Sequence, residues 1–68
     1  MLTIYLKSGV AVDVNDFEKV SYYLTGTLKE KTKEQFSQMS IHDALTYNFS
    51  GSTKVSINGS EIQYLVLS

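Results

Sequence analysis

Apolar and polar side chains alternate at the start of the chain. In Leu2–Leu6 the apolar residues occupy every second position, and Val10–Val14 repeats the alternation after Ser8-Gly9. A period of two residues with one polar face is typical of an antiparallel strand that is covered on one side. The N-terminal segment is therefore predicted to form a β-hairpin that turns at Ser8-Gly9.

The C-terminal part of the chain has the same character. Apolar and polar residues alternate in Leu45–Ser50, which predicts a third strand. Val55–Ile57 and Ile62–Leu67 then flank Asn58-Gly59. Both central residues of a type I′ turn need positive φ, which Asn and Gly tolerate best, so this pattern predicts a second hairpin.

The last strand differs from the others because its apolar residues are almost continuous. Ile62–Leu67 contains only one strongly polar residue, Gln63. A run of this kind indicates a central strand buried on both faces, or an edge strand that needs a partner.

Between the two β-rich ends, the spacing of apolar residues indicates a helix. Asn15 can accept hydrogen bonds from free backbone N–H groups, and Glu18 follows three residues later, as in a capping box. Apolar residues then recur at helical spacing at Phe17, Val20, Leu24 and Leu28. The Phe17/Val20/Leu24 face is expected to cover the sheet, and Gly26 is expected to end or kink the helix.

The charged segment that follows leaves two alternatives open. Residues 27–40 form either a second helix or a loop, because like charges four residues apart oppose a helix while neighbouring opposite charges support it. The predicted architecture is α+β, in one domain covering residues 1–68. It consists of the N-terminal hairpin and two or three C-terminal antiparallel strands, covered on one face by one or two helices from about residue 16 to residue 40.

The small size of the chain bears on its stability. A single core in 68 residues rarely contributes more than about 3–5 kcal/mol without a disulfide, a metal or a partner. The chain has no cysteine, which excludes disulfides and thiolate metal sites. Close packing or oligomerisation is therefore expected, and a homodimer is one form that this could take.

Charge and hydropathy restrict the classes of partner and the location. The six basic residues are all lysines, and the net charge is −1. Without arginine the chain lacks the planar fork that binds phosphate and guanine through two hydrogen bonds, so tight nucleic-acid binding is disfavoured. No apolar run is long enough to span a bilayer, and the first residues lack the pattern of a signal peptide. The cytoplasm is the expected location.

No motif in the sequence indicates catalysis or a cofactor. His42 is the only histidine, and no nucleophile context accompanies it. Asp13, Asp16 and Glu18 are acidic neighbours, but capping and the helix dipole account for them in the predicted helix. The four glycines form no phosphate-binding motif. We therefore expect a protein that is not an enzyme and that holds no cofactor or metal.

Tyrosines and the last strand supply the candidate binding residues. Tyr22 and Tyr23 are adjacent, so they cannot both face one core, and exposed tyrosines are common contact residues. The predicted protein interface comprises Tyr22, Tyr23, Ile62, Tyr64 and Val66. The leading hypothesis is a small protein-binding module, either homo-oligomeric or docked on a larger protein.

The alternative hypothesis is a protein that binds single-stranded nucleic acid. Tyrosines on a sheet face can stack on bases, and lysines can contact phosphates. The residues concerned are Tyr5, Tyr47 and Tyr64, together with Lys29, Lys31 and Lys33. Glu30 and Glu34 interrupt these lysines and weaken the local positive field, so nucleic acid is the less favoured partner.

The two ends of the chain also resemble a known group of proteins. The opening Ile4-Tyr5-Leu6-Lys7-Ser8-Gly9 and the closing Ile57-Asn58-Gly59-Ser60-Glu61-Ile62 look like segments of small phage and prophage proteins of Gram-positive bacteria. Many of these pair an initial lysine-glycine hairpin with a late isoleucine-asparagine strand. The resemblance implies a protein that binds and modulates a host protein, and it assigns no functional residue.

Overall fold

The fold is mostly β-structure. The computed structural model describes residues 1–68, with no helix of seven or more residues. The strands are β1 (Leu2–Leu6), β2 (Ala11–Val14), β3 (Lys19–Leu24), β4 (Thr27–Thr32), β5 (Thr46–Ser50), β6 (Lys54–Asn58) and β7 (Ile62–Leu67). Two short 3₁₀ helices, Lys33–Gln38 and Gly59–Glu61, connect β4 to β5 and β6 to β7.

The strands form two antiparallel sheets. The first sheet has the order β2-β1-β7, so β1 lies between its hairpin partner and the last strand of the chain. The second sheet has the order β4-β3-β5-β6. Antiparallel pairing explains the alternating sequence patterns, because one face of each sheet packs inward while the other faces solvent.

One apolar core lies between the sheets. Its buried residues are Leu2, Ile4, Val14, Phe17, Val20, Tyr47, Phe49, Ile57 and Ile62. The register places members from neighbouring strands side by side, as with Val20 opposite Phe49 and Tyr47 opposite Ile57. Both sheets contribute to this core, so neither sheet can bury its apolar face without the other.

Two predicted elements are confirmed. The N-terminal hairpin forms with Leu2 opposite Val14 and Tyr5 opposite Ala11, and Gly9 takes the positive φ of 95° that its turn requires. The predicted third strand is β5, in which Tyr47 and Phe49 are fully buried. In both segments the two-residue period identifies the element correctly.

The α+β prediction is wrong, because no helix forms between Asn15 and Leu28. Lys19–Leu24 is strand β3, and it pairs with β4 instead of covering a sheet as a helix. Val20, Tyr22 and Leu24 also alternate with a two-residue period, and β-branched and aromatic residues favour strands. Asp16 has a positive φ of 53°, so the expected helix start is a turn.

Residues 27–40, for which the sequence allows a helix or a loop, are mostly strand and 3₁₀ helix. The register places Lys29 opposite Tyr22 and Lys31 opposite Val20, on the side of β4 that continues the core face. Lys31 is partly buried there, whereas Lys29 is exposed. Charged residues on an edge strand discourage pairing with other chains. Further along, the ring of Phe36 packs edge-on against that of Phe17, with ring centroids 5.9 Å apart. The 3₁₀ helix Lys33–Gln38 therefore covers part of the core.

The two strands predicted at Val55–Ile57 and Ile62–Leu67 form, but the predicted hairpin between them is wrong, because they do not pair with each other. Asn58 has a φ of −70° and caps the 3₁₀ helix Gly59–Glu61, where its Oδ1 accepts a hydrogen bond from the Ser60 N–H. The chain then leaves the second sheet, because β6 pairs with β5 whereas β7 pairs with β1. Gly59 is required for close approach, since a Cβ there would overlap the His42 carbonyl oxygen.

The turn between β3 and β4 contains a residue in an unfavourable conformation. Thr25 and Gly26 both have positive φ, 51° and 79°, and a β-branched residue in this region is strained. We expect Thr25→Asn to raise the unfolding free energy by about 1 kcal/mol, because Asn tolerates the left-handed region. Urea denaturation measures the change. The control is Thr27→Asn on the adjacent strand, and equal midpoints for the two variants would contradict the prediction.

Candidate protein-binding edge

Strand β7 is one of the four edge strands of the two sheets. This strand pairs with β1 on one side and has no neighbour on the other. We call the side of Ile62–Leu67 that faces away from β1 the β7 edge. A free strand edge presents unpaired N–H and C=O groups, which can pair with another extended chain.

The hydrogen bonds show which groups of the β7 edge are free. Met1 and Ser68 exchange both backbone bonds, at 2.7 and 2.9 Å, so they form a hydrogen-bonded pair. Bonded and non-bonded pairs alternate in an antiparallel ladder, and Val66 and Tyr64 therefore direct their backbone groups toward β1. Leu65 and Leu67 direct theirs away from β1, where they are available to a ligand.

The outer face of the first sheet, which points away from the core, carries an aromatic pair formed by Tyr5 of β1 and Tyr64 of β7. The rings of Tyr5 and Tyr64 stack with centroids 4.5 Å apart and planes inclined by 18°. Val66 lies next to them on the same face, opposite Thr3. Tyr64 is 50% exposed and Val66 is 43% exposed, so a strand added to the β7 edge would lie beside apolar surface.

The other three edge strands differ from β7 in their charge. Asp13 lies on β2, Lys54 lies on β6, and β4 carries Lys29, Glu30 and Lys31. Charged side chains on an edge strand hinder pairing with other chains. β7 has no charged residue between Ile62 and Leu67, so it is the edge strand least protected against a partner.

The structure separates the five residues predicted for a protein interface. Tyr64 and Val66 lie together on the outer face of β7, whereas Ile62 is buried in the core. Tyr22 is half-buried and packs on Tyr47, with ring centroids 5.2 Å apart. Tyr23 is 62% exposed on the opposite face of β3, where it stands across from Leu28.

The residues of the nucleic-acid alternative do not form one surface. Tyr5 and Tyr64 stack on the first sheet, but Tyr47 is fully buried in the second sheet. Its hydroxyl accepts a bond from the His42 N–H at 2.8 Å and donates to the Ser40 carbonyl at 3.2 Å. The lysines lie elsewhere, with Lys29 and Lys31 on β4 and Lys33 in the first 3₁₀ helix.

Sequence reasoning misses some of the exposed residues. It places Tyr5 only in the nucleic-acid alternative, although the pairing of β1 with β7 makes Tyr5 the stacking partner of Tyr64 on the outer face of the first sheet. Leu24 and Leu28, predicted to lie on a helix, are 41% and 49% exposed on the β3–β4 hairpin. The two-residue period of Val20–Leu24 is the signal that could place Leu24 on a strand.

The remaining features carry little chemistry. No three His, Cys, Asp or Glu side chains converge as metal ligands would, and His42 is exposed in the connection between β4 and β5. An open cleft of about 460 Å³ lies beside the end of β7, with Asp16, Lys33 and Glu34 among its lining residues. These side chains carry opposite charges, so the cleft favours neither anions nor cations. The structure contains no helix with the length and apolarity needed to cross a membrane.

Comparisons with family models, curated proteins and solved structures returned no match. The resemblance of the chain ends to phage and prophage proteins therefore gains no support from them.

Proposed function

We propose that the protein is a non-enzymatic binding module that adds an extended segment of a protein to its first sheet at the β7 edge. The observation that supports this proposal is the combination of free backbone groups and an absence of charge on one edge strand. Strand addition of this kind gains affinity from main-chain hydrogen bonds and specificity from alternating side chains.

The backbone contacts of the bound segment follow from the hydrogen-bond alternation in β7. Leu65 and Leu67 each offer one N–H donor and one C=O acceptor to the ligand strand. These groups are already ordered by the ladder with β1, so the protein loses little conformational freedom on binding.

The side chains of the segment are selected by the two faces of the sheet. On the outer face, alternate ligand residues lie beside Tyr64 and Val66, which favours apolar or aromatic side chains. On the inner face, the intervening residues lie beside the partly buried Leu65 and Leu67. The preferred ligand is therefore an extended segment that is apolar on both faces and carries few charges.

Peptide display tests this function even though the natural partner is unidentified. We expect a library of eight-residue segments to yield apolar, β-branched sequences that bind the wild-type protein. Val66→Lys places a charge on β7, on the outer face of the first sheet. We expect it to weaken binding of these peptides at least about tenfold, because lysines on an edge strand oppose strand addition. Val10→Lys is the matched control, since Val10 is 55% exposed in the β1–β2 turn, away from β7.

Three results would overturn the proposal. Enrichment of no peptide at all would show that the β7 edge does not accept strands. Equal loss of binding in Val66→Lys and Val10→Lys, or equal retention in both, would show that the peptides bind elsewhere. Urea denaturation of both variants checks that each remains folded.

A further inference from the structure

Given the proposed function, we infer that the strand bound at the β7 edge is β7 of a second copy. The two strands run antiparallel, with Leu65 of one copy opposite Leu65 of the other. This arrangement joins two three-stranded sheets into one six-stranded sheet around a two-fold axis. Such an interface is isologous, because both copies contribute the same residues.

The faces of the two strands match in this register. Residues that stand opposite each other in an antiparallel pair share a face of the sheet. With Leu65 opposite itself, Tyr64 of each copy stands opposite Val66 of the other, so each Tyr5–Tyr64 stack gains an apolar neighbour. A shift of one residue would place the outer side chains of one copy against the inner side chains of the other.

The hydrogen-bonding groups match in the same register. Leu65 directs its N–H and C=O away from β1, so the two Leu65 residues can exchange a pair of backbone bonds. Leu67 also points its backbone groups outward and stands opposite Gln63 of the second copy. The register therefore aligns Tyr64–Val66 regularly with their counterparts, whereas the β-bulge at Gln63 interrupts the regular ladder at the start of the strand.

Charge opposes self-pairing of the β4 edge but not of the β7 edge. An antiparallel pair of β4 strands centred on Glu30 would oppose Glu30 with Glu30, and Lys29 with Lys31. Like charges directly opposite each other destabilise a sheet. Two β7 strands oppose no charged side chains, so this self-association meets no such barrier.

The size of the contact predicts a moderate affinity. Stable interfaces bury roughly 800 Å² per partner, about a fifth of the 4318 Å² exposed by one copy of this chain. One edge strand with its flanking side chains supplies only part of that area. We therefore expect a reversible dimer that dissociates on dilution in the micromolar range.

Disulfide trapping tests the register, since the chain has no cysteine of its own. In the inferred dimer, Tyr64 and Val66 of different copies form a non-hydrogen-bonded pair, with Cα atoms about 4.5 Å apart. That separation permits a disulfide. We expect an oxidised mixture of Tyr64→Cys and Val66→Cys chains to form covalent dimers at least about tenfold faster than either variant alone, because within one variant the cysteines lie roughly 7–8 Å apart.

Tyr64→Cys removes one ring of the Tyr5–Tyr64 stack and could itself weaken the dimer. A dilution series of the wild-type protein therefore supplies a second measurement that leaves the stack intact. Light scattering should show the mass falling from twice 7.6 kDa toward 7.6 kDa on dilution, and Val66→Lys should hold it at the lower value. A wild-type mass of 7.6 kDa at millimolar concentration would overturn the inference. Equally fast trapping of Val66→Cys alone would overturn the register.

These results are separable from the test of the proposed function. A monomeric wild-type protein that still binds displayed peptides, and loses them in Val66→Lys, would refute self-pairing and leave the binding function standing. Failure of both experiments would remove the function as well.

Discussion

Replacing Gly59 with alanine is expected to cost several kcal/mol and to leave much of the protein unfolded at room temperature. The added Cβ would overlap the His42 carbonyl oxygen and lie 3.1 Å from the Tyr47 ring. The backbone cannot move away easily, because the Gly59 N–H donates to the Leu45 carbonyl at 2.7 Å. A domain of this size has only about 3–5 kcal/mol to lose. Circular dichroism combined with urea denaturation measures the loss.

The matched control for this effect is Gly9→Ala. Gly9 has a φ of 95°, but no atom lies within 4 Å of the position that a Cβ would take, so only backbone strain opposes the alanine. That strain costs about 1–2 kcal/mol. Gly59→Ala should therefore be clearly the less stable of the two. A smaller loss for Gly59→Ala than for Gly9→Ala would show that the chain around His42 can move to accommodate a methyl group.

Removing the Tyr47 side chain is the second change for which we expect a large effect. Tyr47 is fully buried between Tyr22 and Phe49, and its hydroxyl binds the backbone of Ser40 and His42. Truncation of a large buried side chain to alanine typically costs about 3–5 kcal/mol, which equals the expected stability of the whole domain. We expect Tyr47→Ala to be unfolded, which loss of the near-ultraviolet circular dichroism signal would show.

Tyr47→Phe separates the hydroxyl from the ring. It keeps the packing but leaves the His42 N–H without its acceptor, so we expect a loss of about 1–3 kcal/mol and a folded protein. The hydroxyl joins the connection between β4 and β5 to the core. Amide exchange in residues 40–42 should therefore accelerate more than exchange in β1. Uniform acceleration across the chain would argue against this role.

The sequence is most informative where local pattern and final structure coincide. The β1–β2 hairpin and β5 follow from two-residue alternation because each has one face on the core and one in solvent. The helix prediction fails because Phe17, Val20 and Leu24 satisfy a helical spacing, while Val20–Leu24 also satisfies an extended one. The adjacent tyrosines and Thr25-Gly26 favour the extended form.

The pairing of β1 with β7 could not be predicted from local pattern. It depends on how two sheets close around one core, and no short-range signal encodes that arrangement. The same applies to the candidate site. Tyr64 and Val66 are predicted as interface residues from the sequence, but their juxtaposition with Tyr5 and the direction of the free groups on Leu65 follow only from the register.

The closure of the first sheet also determines how the chain must fold. β1 pairs with a neighbour in sequence on one side and with the far end of the chain on the other, as the bonds between Met1 and Ser68 show. Pairing of such distant segments requires a large loop to close before any of its contacts are gained, and this slows folding. Until that step is complete, both edges of the uncharged β7 strand are unpaired, and it can pair with a strand of another molecule. The residues that suit β7 to recognition therefore make it the segment most prone to aggregation during folding.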